Sequence, residues 1–171
     1  MLERGLVAEL KPFCRLALKI SEQLQHEEVY REASRKAVRE SQSYLGIATA
    51  ETNEHSASMI HKQKWLEMLL ERKDKDGDPV EDHELGIAYN EMGVAYGNNN
   101  SFDTATVAFH CSIDIFKRLE DYEDTMLTLP EPNLAFIYWM QGRFEDAEKL
   151  LRNSLTIQEN HFGIDDTSSF L

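Results

Sequence analysis

Pro132-Asn133-Leu134-Ala135-Phe136-Ile137-Tyr138 runs on to Gln141-Gly142-Arg143-Phe144-Glu145-Asp146-Ala147-Glu148-Lys149-Leu150-Leu151. The same skeleton stands 42 residues upstream, where Met92-Gly93-Val94-Ala95-Tyr96 precedes Phe102 and Ala105. Gly93 pairs with Ala135, Tyr96 with Tyr138, Phe102 with Phe144 and Ala105 with Ala147, all at that one interval. Glu81-Asp82-His83, Glu123-Asp124-Thr125 and Asp165-Asp166-Thr167 keep it too. A period of this length marks stacked supersecondary units, each unable to bury its apolar face alone. That favours a binding surface over a catalyst.

The small and large residues of the pattern have distinct jobs. Gly93 and Ala135 are expected where the first helix of a pair meets the second closely, with Ala105 and Ala147 as the opposing small positions. Tyr96, Tyr138, Phe102 and Phe144 are expected to fill the wedge between one pair and the next.

Composition agrees with a helical array. The chain has 171 residues, enough for one compact domain or one short array, and 42% of them are hydrophobic. Four prolines and eight glycines are few, which favours helix over a turn-rich all-β fold. The net charge is −13, with a pI near 4.8. Residues 1–50 carry 8 Lys/Arg against 7 Asp/Glu, and the remainder 10 against 24. The acidity belongs to the repeat region, which repels phosphate backbones and attracts basic partners. Nucleic acid is therefore not an expected partner. No apolar run approaches the length of a membrane span and the N-terminus lacks a signal-peptide core, so no membrane is expected either. Cys14 and Cys111 make neither a disulfide framework nor a metal site, and a reducing, cytoplasmic location fits them.

Helical periodicity and stop signals divide the chain. Leu6 to Leu24 follows helical spacing, with Pro12 placing the regular start near Leu10. Glu28 to Ala50 is a second helix with Val29, Ala33, Ala37, Val38, Tyr44 and Leu45 as its apolar set. Asn53 punctuates, and Glu54 to Arg72 is a third helix burying Ile60, Trp65, Met68 and Leu69. Lys73 to Val80 is an acidic loop. Asp82 caps a helix to about Gly97, Asn98 to Ser101 turns, and Phe102 to Glu120 is the next helix. Asp124-Thr125 is expected to cap another stretch, broken near Pro130, with Pro132 in the first turn of its regular part. Gly142 ends that helix; Phe144 to Asn160 is the last, stopped at Gly163.

These residues resemble the tetratricopeptide repeat in the 42-residue form found in kinesin light chains and many fungal repeat proteins. Pro132 to Leu151 carries the resemblance most specifically, and Asn90 to Phe109 is a second match. Leu45-Gly46 to Trp65 is a degenerate third, holding Thr49, His55 and Ser58 where the pattern prefers two aromatics and alanine. Gly46 and Gly93 are 47 residues apart, and the five residues Asp74 to Asp78 account for the excess.

The resemblance implies an all-α, right-handed superhelical array of antiparallel helix pairs with about seven helices. The expected organisation is one domain over 1–171. Within it, 1–27 is a helix of a preceding incomplete repeat and 28–73 the degenerate repeat. The acidic loop is 74–80, full repeats occupy 81–122 and 123–164, and 165–171 starts a truncated repeat. Both ends look cut mid-array, as in a fragment.

It also implies a concave groove, lined by the first helix of each pair, that receives an extended peptide or a partner helix. The groove positions would be Asn90, Glu91, Val94 and Asn98, then Asn133, Phe136, Trp139 and Met140. Asn133 matches the family's asparagine that holds a peptide backbone, since an amide donates and accepts at once. Phe136, Trp139 and Met140 offer an adaptable apolar platform or, alternatively, pack against a neighbouring helix. The family's cationic clamp for an acidic C-terminus is absent, with Val94 and Phe136 in its slots, so a basic or apolar-and-basic partner is expected.

Chemistry is weakly represented. Asp74, Asp76 and Asp78 alternate as in a calcium loop, but Pro79 stands where that loop needs glycine and Leu85 where it needs glutamate. Glu120-Asp121-Tyr122-Glu123-Asp124 resembles the magnesium motif of terpene synthases, yet its last two residues fall on the repeat register. His55 and His61 are six apart, not three or four, and His110 and Cys111 are neighbours on different helix faces. No enzyme, no metal and no cofactor is expected. The reading is a protein-interaction scaffold. Self-association through open repeat ends is the alternative, and a small helical enzyme or metal protein a distant third.

Overall fold

The computed structural model describes residues 2–24 and 31–162. Among them the chain is all-helical: α1 (Leu2–Leu24), α2 (Arg31–Glu51), α3 (His55–Leu70), α4 (His83–Asn98), α5 (Phe102–Arg118), α6 (Pro130–Met140) and α7 (Phe144–Phe162). A short 3-10 turn, Asp124–Thr128, precedes α6. The chain forms two compact units, Met1–Val80 and Glu81–Leu171. The expected helix start at 28–30, Val29, the stop at Gly163 and the set Asp165-Asp166-Thr167 lie outside the described residues.

In the unit from Glu81, α4 pairs with α5 and α6 with α7, and α6 packs on α5. Asp82 caps α4, its carboxylate accepting from the Leu85 N–H at 2.9 Å. Close approach of α4 to α5 depends on absent side chains. A Cβ on Gly93 would stand 2.7 Å from the Phe109 ring, and one on Gly86 2.5 Å from Phe116. Phe109, Phe116, Ala105, Leu134, Ala135, Ile137 and Tyr138 belong to one buried cluster. Asn100 and Gly142 take the left-handed conformation that turns each pair, at φ 57° and 77°.

Tyr138 joins the two pairs. It is buried, its hydroxyl is 3.0 Å from His110 Nε2 of α5, and the Arg143 guanidinium lies 3.9 Å from its ring centroid. Tyr96 and Phe102 are partly buried against the same core. Phe144 departs from this pattern: it is exposed.

The unit ending at Val80 uses the same spacing with different chemistry. A Cβ on Gly46 would meet Lys62 Cγ at 2.7 Å, and the Ser58 hydroxyl donates to the Gly46 carbonyl at 2.7 Å. Gly46 to Ser58 to Lys62 repeats the intervals of Gly93 to Ala105 to Phe109. Thr49, Ser58 and Lys62 are buried where the other repeat has Tyr96, Ala105 and Phe109. The buried stripe of α3 is Ser58, Lys62, Trp65 and Leu69, so Ile60 falls on the opposite side and is exposed. Tyr44, about 100° round α2 from Leu45, is exposed for the same reason, as is Ala33.

One proline expectation changes and the other holds. α1 runs from Leu2 with Pro12 inside it, because a proline removes one ladder bond without ending a helix whose apolar period continues across it. The stretch after Asp124 is broken before Pro130, which is the first residue of α6, and Pro132 lies in that helix's first turn as expected. Asp124 caps nothing with its side chain and instead accepts from the Tyr122 hydroxyl at 2.6 Å.

The inserted acidic loop closes on itself. Lys73 and Pro79 form an isolated bridge, and the Val80 N–H donates to the Arg72 carbonyl at 3.0 Å. Asp74 Oδ1 accepts from the N–H groups of Asp76 and Asp78 at 2.9 and 3.0 Å. The chain therefore returns to where it left, and the five extra residues leave the helical spacing on either side intact.

Truncating Tyr138 removes an aromatic shared by both pairs, at a cost of about 3–5 kcal/mol. Against the roughly 5–15 kcal/mol that holds a domain folded, Tyr138→Ala should unfold the α6–α7 region; a thermal melt displaced by only a degree or two would contradict this. Burial, then the Asp124 hydrogen bond, pushes Tyr122 up to about 12. A raised phenol means the folded state holds its proton more tightly than the unfolded chain. Its stabilising effect is complete below about pH 10, the unperturbed value, and fades as pH climbs toward 12. Tyr122→Phe should flatten that alkaline loss in denaturant titrations across the window, and an unchanged slope would refute the assignment.

Candidate functional site

The eight expected groove residues come from α4 and α6, and they divide sharply. Asn90 is 1% exposed. Its Oδ1 accepts from Asn133 Nδ2 at 3.0 Å, and the Asn133 amide also donates to the Leu129 carbonyl at 3.1 Å. This amide pair ties α4 to α6. Asn90 is thus a structural contact rather than a partner-facing group, because its side chain is sealed by the next helix. Asn133 is half-buried with its amide hydrogens already engaged. Glu91 and Val94 are half-buried, Val94 against the core, and Asn98 is exposed at the last residue of α4.

The apolar members lie outward. Phe136 is 57% exposed, Trp139 56% and Met140 44%. The Phe136 and Trp139 rings stack with centroids 6.1 Å apart at an interplanar angle of 27°. They do not stand alone. Phe136 and Trp139 share an open apolar depression of about 530 Å³ with Phe144, Leu151 and Leu155 of α7. Sequence reasoning missed the α7 residues, because they occupy the register of Phe102, Phe109 and Ile113, whose last two members are fully core. Periodicity reports a shared face but not whether a helix covers it.

The depression's polar rim is paired locally. There Arg152 bonds Glu148 at 2.6 Å, and outside the depression Arg143 bonds Asp146 at the same distance. These exposed helical pairs contribute a few tenths of a kcal/mol each. Elsewhere in this unit Arg118 makes a two-pronged bond to Glu81, with both contacts at 2.7 Å, and holds that carboxyl below its usual range.

Burial raises the thiols of both Cys14 and Cys111, the opposite of an activated nucleophile. Burial, with Lys64 nearby, lowers His61, whose Nδ1 is 2.7 Å from Gln42 Oε1. Among the described residues no three His, Cys, Asp or Glu side chains converge as metal ligands, and no helix is long and apolar enough to cross a membrane.

Residues 133–168 match the family model described as tetratricopeptide repeat. No curated protein matches the sequence. The crystal structure of BtubC (BKLC) from P. vanneervenii is similar in fold, with a TM-score of 0.67 at 16% sequence identity. The similarity covers 92% of this chain and 59% of that one, so this chain spans about three-fifths of that structure. Repeat spacing, helix pairing and the shared fold agree: the chain has a tetratricopeptide-type helical repeat fold, and residues 133–168 match the repeat's own model.

Proposed function

We propose that this chain is a protein-interaction scaffold, capturing a basic or apolar-and-basic peptide or helix on the outward side of α6. Tetratricopeptide repeats generally mediate protein–protein interaction. The observation that carries the finer reading is the stacked, exposed pair Phe136 and Trp139 beside Met140, on a helix whose opposite side is core. Exposed aromatics of this kind supply large contact area at small entropic cost. Residues 81–171 hold 17 Asp/Glu against 5 Lys/Arg, which favours cationic partners over nucleic acid or anionic membrane. Asn133 contributes its carbonyl oxygen to a peptide N–H, with Glu91, Val94 and Asn98 along the same groove. No catalytic residue, cofactor or metal enters this reading, and the cytoplasm is the proposed location.

One observation favours a second reading, self-association: the apolar depression at the α6–α7 end is open. Light scattering over a range of concentrations separates the two, since only self-association gives a mass that grows with concentration. For capture, the probe is a synthetic amphipathic helix with a lysine-rich polar face, compared with its glutamate-rich counterpart. Phe136→Ala with Trp139→Ala should retain the far-UV helical signal and lose the lysine-rich probe. Asn133→Ala is a poorer variant because it orphans buried Asn90. Equal retention by the folded double variant, or preference for the glutamate-rich probe, would remove this surface from consideration.

A further inference from the structure

The 42-residue register turns one observed contact into a template for an empty one. α6 lies across the α4–α5 pair, where Ile137 reaches Gly97, Tyr138 reaches His110, Asn133 reaches Asn90 and Gln141 donates to Asp103 at 3.1 Å. Under that helix Phe109 is 0% and Ile113 6% exposed. Advance each by 42 and the same seat reappears on α6–α7, uncovered: Leu151 is 51% and Leu155 54% exposed. The two seats share the repeat register, with Leu151 and Leu155 standing where Phe109 and Ile113 do, and one holds a helix. The described residues around the second leave it open to solvent.

We infer that the α6–α7 face is the seat for one amphipathic helix from a partner protein, laid across it as α6 is laid across α4–α5. This rests on the interaction reading and deepens it by naming the occupant.

The differences between the seats specify that helix. Trp139 stands where Gly97 admits Ile137, so the occupant carries a small residue opposite Trp139. Glu145 stands where Asp103 accepts from Gln141, so the occupant's last turn carries a donor, best a lysine or arginine, which its own helix dipole also favours. Pro132 replaces Asn90, which removes the amide handle and leaves an apolar contact at the occupant's first turn. A second copy of this chain is the poorer occupant. Two units each bearing 17 acidic against 5 basic side chains repel, whereas a helix with a basic last turn is attracted.

The test uses the full chain and a synthetic peptide of residues 129–142 altered at two positions, Ile137→Ala and Gln141→Lys. It is titrated into the wild type, into Leu151→Asp with Leu155→Asp, and into Val107→Ala, an exposed α5 residue outside the depression. Leu151 and Leu155 are exposed, so those changes leave the fold intact, which circular dichroism verifies. The seat predicts saturable binding to wild type, about tenfold or more weaker in the Leu151/Leu155 variant and within about twofold of wild type for Val107→Ala. The unaltered 129–142 peptide, retaining the bulky Ile137, should bind more weakly than the altered one.

Absence of binding to wild type, or equal binding by the Leu151/Leu155 variant, overturns the seat. If the lysine-rich probe is nevertheless captured and Phe136→Ala with Trp139→Ala abolishes that capture, the broader interaction reading survives. A photo-crosslinker at Leu155 in the full chain reports the remaining occupants. Crosslinking to a second copy, or to residues 163–171 of the same chain, would also overturn the proposal.

Discussion

The ring of Phe109 lies against bare backbone at Gly93, and everything in the C-terminal unit is arranged around that contact. A ring this close to a helix axis brings α4 and α5 together and aligns them. Phe116 does the same at Gly86, one helical stretch toward the other end of the pair. With the two helices fixed, their combined surface becomes a seat, and α6 fills it with Ile137 and Tyr138 while Asn133 closes onto Asn90. Each layer is therefore a precondition for the next. A repeat array grows by this logic, since no pair completes its own core.

The N-terminal unit keeps the spacing and changes the interior. Lys62 lays its aliphatic stem over Gly46 where Phe109 lays its ring over Gly93. Ser58 answers the Gly46 carbonyl, Thr49 bonds back to its own helix at Leu45, and Gln42 meets His61. Lys11 bonds Thr52 and Glu54, pinning α1 to the α2–α3 turn and drawing the Glu54 carboxyl below its usual range. Polar interiors hold only when their groups find partners. This unit meets that condition through short local bonds at the helix crossing instead of through aromatic volume.

Sequence made most of the architecture visible because its signals were local. Asp82, Asn100 and Gly142 each announce a helix boundary through one residue's chemistry, and Gly93 announces the close crossing. The degenerate repeat was harder, since Ser58 and Lys62 occupy a buried stripe with residues usually found outside, which shifted attention to Ile60. The surface was least legible. Asn90 reads as a groove amide but is sealed by its bond to Asn133. Leu151 and Leu155 carry the register of core positions yet stand open. Whether a position at the edge of a repeat is covered depends on the neighbouring helix, a non-local fact that no periodicity contains.

The central claim is that small-on-aromatic contact sets the pairing of helices, and a double-mutant cycle at Gly93 and Phe109 tests it most directly. Gly93→Ala improves helix propensity by about 0.5–1 kcal/mol, while driving a methyl into the ring costs about 1–3 kcal/mol. The account predicts that Gly93→Ala lowers unfolding free energy in wild type but becomes neutral or stabilising once Phe109→Leu has relieved the contact. Strict additivity, with alanine equally costly in both backgrounds, would contradict it.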